Sequence, residues 1–163
     1  MQYAFAKGPV VVSLERPVGK LVFLHADREV YYVVRTDDAN PGFFEDDLCD
    51  IDSLVPDALV TRGRERLHLA ADEEGRVLLT AKATEASRWT FESQKGSFGA
   101  GRAKYIISNQ KAPKGLKYLS IGKEPVKKLK DKDSAGKERE FDAYPLVLTA
   151  EDPPVWRSTL VAP

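Results

Sequence analysis

The sequence predicts an all-β domain of twelve strands, arranged as three copies of one four-stranded unit. Three observations carry that expectation. First, a basic residue precedes glycine, and apolar residues follow at plus four and plus six. The sets are Lys7-Gly8 with Val12 and Leu14, Arg62-Gly63 with Leu67 and Leu69, and Lys114-Gly115 with Leu119 and Ile121. Second, one spacing returns: Gly8 to Gly63 and Ala26 to Ala81 both span 55 positions. Third, apolar residues alternate with others at the period of a strand, and no stretch shows a convincing helical stripe.

Each copy reads in order. An opening strand precedes the glycine, at residues 3–5, 59–61 and 105–108. The plus-four and plus-six residues form the second strand. Val22 and Leu24, Val77 and Leu79, and Leu146 and Leu148 mark the third. Gly19-Lys20 and Gly75-Arg76 read as tight hairpin turns just before it. An aromatic closes each copy: Tyr32, Trp89 and Trp156. A large ring recurring at one strand position is expected to fill the interior rather than to stack on a sugar. The copies cover about residues 1–36, 57–92 and 103–163 of a single domain, 1–163. Leu14 to Val22 and Leu69 to Val77 each span 8 positions, whereas Ile121 to Leu146 spans 25. The third copy therefore carries 17 extra residues, mostly within 123–140. A lone hairpin leaves open edges; three copies remove them by closing into a barrel.

Composition narrows the function. Lys plus Arg and Asp plus Glu are both 25, so the formal charge is zero. Nucleic acid and anionic membranes both reward a basic surplus, and neither is expected as a partner. No apolar run approaches a membrane span, and the first residues lack a charged leader followed by an apolar block. Cys49 is alone, which excludes an internal disulfide. Together these favour a reducing, cytoplasmic setting.

Candidate residues fall in the loops, where a rigid scaffold usually carries binding groups. The hairpin of residues 15–20 offers Arg16, stiffened by Pro17, as a tip for an acidic cleft. The linker 37–57 is acidic and lacks Lys and Arg; within it Asn40, Pro41, Gly42, Phe43 and Phe44 form an aromatic candidate anchor. Its carboxylates do not match a calcium loop, so no metal is expected. Residues 123–140 hold seven basic and five acidic residues and read as a mobile charged loop. His25 and His68 sit out of phase with the core and are expected to face outward. Cys49, among carboxylates, should have a raised thiol pKa and no nucleophilic role. Nothing resembles a phosphate loop or a zinc set, so neither an enzyme nor a cofactor is expected.

The Lys/Arg-Gly pairs, the Leu-Thr-Ala pieces at 79–81 and 148–150, and Trp89 and Trp156 resemble the β-trefoil family over nearly the whole chain. That resemblance implies a six-stranded barrel capped by hairpins. Among β-trefoil groups, the Gln-x-Trp of ricin-type sugar-binding modules is missing: Ser87 precedes Trp89 and Pro154 precedes Trp156 at that spacing. A single cysteine departs from the disulfide-bonded Kunitz inhibitors. The chain is most similar in character to fungal cytosolic β-trefoil protease inhibitors and lectins. The resemblance thus implies first a protease inhibitor, presenting Arg16 and Pro17 or Asn40, Gly42, Phe43 and Phe44 to a serine or cysteine protease. A glycan-binding lectin and a non-enzymatic protein-interaction domain are the alternatives.

Overall fold

A computed structural model describes residues 8–34, 49–51, 58–62, 65–95, 102–112, 115–132 and 135–160. They form thirteen strands: β1 (Gly8–Leu14), β2 (Gly19–Leu24), β3 (Glu29–Val34), β4 (Cys49–Ile51), β5 (Val60–Thr61), β6 (His68–Ala71), β7 (Val77–Thr80), β8 (Thr90–Ser93), β9 (Arg102–Ser108), β10 (Tyr118–Ile121), β11 (Lys127–Lys132), β12 (Glu138–Thr149) and β13 (Trp156–Leu160). A 3-10 turn, Glu85–Ser87, precedes β8. The all-β expectation stands, and every described strand belongs to one continuous, antiparallel-paired sheet.

Pairing sets the order of the copies. β9 pairs with β8 before it and with β13 after it, placing Phe91 opposite Ile107 and Trp156 opposite Tyr105. β5 pairs with β4, and neighbouring Ala58 bridges Arg88. β1 pairs with β13 and with β4, placing Val10 opposite Cys49. Each opening strand thus lies between the last strand of its own copy and that of the copy before. The copies are β1 to β4, β5 to β8 and β9 to β13.

This order corrects the alignment of the first copy. Val12 and Leu14 lie in its opening strand, not its second. Its last strand is β4, so Cys49 occupies the position held by Trp89 and Trp156. Tyr32 lies in the third strand instead. The two tryptophans are equivalent: Trp89 Nε1–H donates to the Leu69 carbonyl (2.9 Å), and Trp156 Nε1–H to the Leu119 carbonyl (3.0 Å). Leu69 therefore matches Leu119, which moves the expected register of that strand by two. The opening strand expected at residues 3–5 lies outside the described residues.

The main core holds Val10, Val12, Leu14, Leu21, Phe23, Tyr32, Leu59, Leu67, Leu69, Ile107, Leu119, Trp89 and Trp156, all buried. Both tryptophans are interior fillers, as their recurrence predicts. Tyr32 meets Trp156 edge to face, with ring centroids 5.7 Å apart. Val22 and Leu24 were expected in this core but face the other way. They join Val33, Leu129, Phe141, Ala143 and Tyr31 in a second cluster. The reason is the extra segment of the third copy, which is not a mobile loop. β11 continues the line of β10 along one edge of β12, after the bend at 122–126. β3 occupies the other edge of β12. The lengthened hairpin so lays Leu129 and Phe141 over the outer face of β2 and β3. Its own outer face carries three cross-strand pairs of opposite charge: Lys128 with Asp142, Lys130 with Glu140 and Lys132 with Glu138.

Glycine placement also differs from expectation at one turn. Gly19 is not a turn residue but begins β2. A Cβ there would lie 2.1 Å from the Val33 carbonyl oxygen, so the close approach of β3 requires glycine. Gly75 does sit in its turn, with φ of 81°.

Candidate functional site

The hairpin joining β1 to β2 presents Arg16, Pro17 and Val18 to solvent, and Val18 is 46% exposed. Its base is held from below. Leu14 N–H donates to the Tyr32 hydroxyl (3.0 Å), and that hydroxyl donates to the Pro17 carbonyl. Gly19 N–H donates to Ser13 Oγ (3.1 Å). One buried phenol thus spans both sides of the loop. Beside it, Glu15 bonds Lys104 (2.9 Å) and Arg157 (3.2 Å), and these cations hold its carboxyl below the usual range. Arg16 and Pro17 thus lie at the exposed tip of this hairpin.

The second expected loop, with Asn40, Gly42, Phe43 and Phe44, lies outside the described residues. Neither histidine faces fully outward: His25 and His68 are both half-buried. Cys49 is not in a loop but in β4, 1% exposed. Burial, more than the adjacent Asp50, pushes its thiol up to about 12. That leaves it without a thiolate at neutral pH.

A depression of about 450 Å³ lies at the turn end of the β6–β7 hairpin of the second copy, with Lys111 of the third copy on one side. Ala71, Asp72, Glu73, Thr84, Glu85, Ala86 and Lys111 line it. Its walls are built from local turn chemistry. Asp72 Oδ1 accepts N–H bonds from Glu74 (2.9 Å) and Arg76 (2.8 Å), closing the turn around Gly75. The Arg76 guanidinium adds a bond to Oδ2 (2.7 Å). The Arg76 backbone N–H is the largest of several causes that hold the Asp72 carboxyl below its usual range. On the facing wall, Thr84 caps the 3-10 turn through the Ala86 N–H (3.2 Å).

Asn109 joins this wall to the third. It is fully buried; its Nδ2 donates to the Ala86 carbonyl (2.7 Å) and its Oδ1 accepts the Lys111 N–H (2.9 Å). Lys111 is thereby carried to Glu85, Nζ to Oε2 3.0 Å, and its bond lowers the Glu85 carboxyl pKa. The result is an open hollow whose lining is more apolar than polar, with carboxylates, one ammonium, one hydroxyl and the methyl groups of Ala71, Thr84 and Ala86. Such a surface can bond the hydroxyls of a small polyol through both acceptors and donors. Sequence reasoning missed it. Gly75-Arg76 is legible as a turn, but Lys111 is brought to Glu85 by the bonds of Asn109.

No family model matches this chain, and no curated protein matches it in sequence. Among solved structures, it is similar to SeviL bound to asialo-GM1 saccharide. The TM-score is 0.57 at 11% identity, over 96% of this chain and 100% of that one. At that identity the likeness is one of fold.

Proposed function

We propose that the chain is a β-trefoil that binds saccharide, without catalysis, in the depression of the second copy. β1, β4, β5, β8, β9 and β13 supply the six barrel strands, and the three hairpins cap them. The observation that carries the reading is the hollow itself: carboxylates, an ammonium, a hydroxyl and methyl groups gathered at a hairpin end. Its support is a fold shared over 96% of the chain with a protein solved bound to a saccharide. A glycan array, followed by retention on a resin of the best hit, tests it. Retention is expected, and Thr84→Ala with Lys111→Ala should weaken it by about tenfold or more, about 1.4 kcal/mol. A blank array would remove the reading.

A second reading keeps the protease inhibitor, and one observation favours it. The Tyr32 hydroxyl fixes the Arg16 hairpin in place, so little entropy would be lost when a cleft closes on it. Residual trypsin, chymotrypsin and papain activity decides. Arg16→Ala should abolish trypsin inhibition; full activity of all three proteases at micromolar protein would end this reading. The free, buried Cys49 supports a reducing, cytoplasmic setting for either role.

A further inference from the structure

The three hairpins can be matched residue by residue. Leu21, Leu69 and Leu119 face Tyr32, Leu79 and Leu148 across their pairs. Three positions later stand Leu24, Asp72 and Gly122, followed by His25, Glu73 and Lys123. Of these turn positions, the second copy alone supplies carboxylates. The counterpart of Lys111 in the third copy can also be placed. Leu14 faces Trp156, and the β8–β9 register carried one residue past Ser108 sets Asn109 opposite Trp89. Arg16, two beyond Leu14, therefore stands where Lys111 does.

The other two positions are used differently. In the first copy Leu24 packs into the second cluster, whose cover is Leu129 and Phe141 of the lengthened hairpin. In the third copy the turn is absent, because the strand runs on into β11. A Cβ at Gly122 would lie 2.7 Å from the Pro145 ring, so that side chain fills the space beside it. Its mouth carries the cations Lys123 and Arg16, and the loop that matches residues 84–86 carries Glu151 and Asp152.

We infer that saccharide recognition is confined to the second copy, so that each chain takes one glycan, and that this glycan is uncharged. The inference rests on the saccharide reading above. Three carboxylates, Asp72, Glu73 and Glu85, line the hollow against one ammonium, Lys111. At the rim Arg76 bridges Asp72 and Glu74, so four carboxylates stand against two cations in all. A sialylated or sulfated glycan would meet this excess of negative charge across an open, hydrated site. The expected penalty is roughly tenfold at low ionic strength, and salt screens it.

The test uses the full chain and matched probes. An array printed with neutral oligosaccharides, asialo-GM1 saccharide among them, and their sialylated counterparts identifies a pair. Calorimetric titration with both members then gives stoichiometry and affinity. The expected result is one site per chain, with the sialylated member about tenfold weaker or more, and a smaller gap in high salt. Glu73→Gln with Glu85→Gln should narrow the gap while the thermal midpoint stays put. Two or three equivalent sites, or a sialylated member bound as tightly, would overturn this inference and leave the saccharide reading standing. A chain that binds no printed glycan overturns the saccharide reading, and this inference with it.

Discussion

The β6–β7 hairpin and the hairpin of β10, β11 and β12 begin alike and end differently. Each opens with a buried leucine, Leu69 or Leu119, whose carbonyl receives a tryptophan N–H. The first then closes within a tight turn fastened by Asp72. The second bends at Gly122 and runs on for six more residue pairs. The shared part builds the core. The part that differs decides what the surface can do: one end is left hollow, and the other becomes a cover for the first copy. Repetition in this chain therefore marks scaffold, and departure from it marks candidate function.

The largest effect should come from the shared part. Trp89→Ala and Trp156→Ala each remove a buried ring and leave a buried carbonyl without its donor. Each should cost about 3–5 kcal/mol in denaturant unfolding. A large difference between the two would break their equivalence. Next comes the part that differs. Phe141→Ala should cost about 2–4 kcal/mol, because it uncovers Val22 and Val33. A cost near zero would mean that the lengthened hairpin is an ornament rather than a cover.

Tyr32→Phe probes the first copy, where a phenol does what a strand carbonyl does elsewhere. Thr61 N–H donates to the Leu67 carbonyl and Asn109 N–H to the Lys117 carbonyl. At the matching place, Leu14 N–H donates to the Tyr32 hydroxyl. The loss should cost about 1–3 kcal/mol and speed proteolysis at Arg16. An unchanged midpoint and cleavage rate would contradict the buttress.

The smallest effect concerns the turn end of the second hairpin. Asp72 and Glu85 both have carboxyl pKa values depressed by their partners. A depressed carboxyl contributes stability above its unfolded pKa and loses it as pH falls through its folded one. Acid titration should therefore loosen this turn below the ordinary carboxylate range. Both pairs lie at the protein surface, where water screens them, so the change in midpoint should be slight. Amide protection at Glu74 and Arg76, relative to the intrinsic base-catalysed exchange rate, is the sensitive readout; protection that falls on raising the pH would contradict the sign.

Much of the scaffold was legible in the sequence, and the misreadings have physical causes. The spacing of Gly63 with Leu69 and of Gly115 with Leu119 located real strands in two copies. The first copy misled because β2 is buried on both faces, so alternation carries no phase there. Tyr32 then imitated the closing aromatic, while Cys49, at the true position, gave no aromatic signal. The 17 extra residues were read as a loop for their charge. Yet Leu129, Phe141 and Ala143 alternate with Lys128, Lys130, Glu140 and Asp142, the pattern of a half-buried ribbon. Among the candidate loops, Arg16 and Pro17 were visible as a hairpin tip, and beside the hollow Gly75-Arg76 was visible as a turn. Asn109 was not, because its role depends on a contact with Ala86, 23 positions away.

The central claim is that the hollow of the second copy is where a ligand sits. Backbone amide chemical shifts, followed as the glycan selected by the array is added, test it most directly. The account predicts shifts concentrated at Asp72, Glu73, Glu74, Glu85, Ala86 and Lys111. Arg16, Val18, Lys123 and His25 should stay still. Shifts clustered at Arg16 and Val18, or spread evenly over all three hairpin ends, would contradict it.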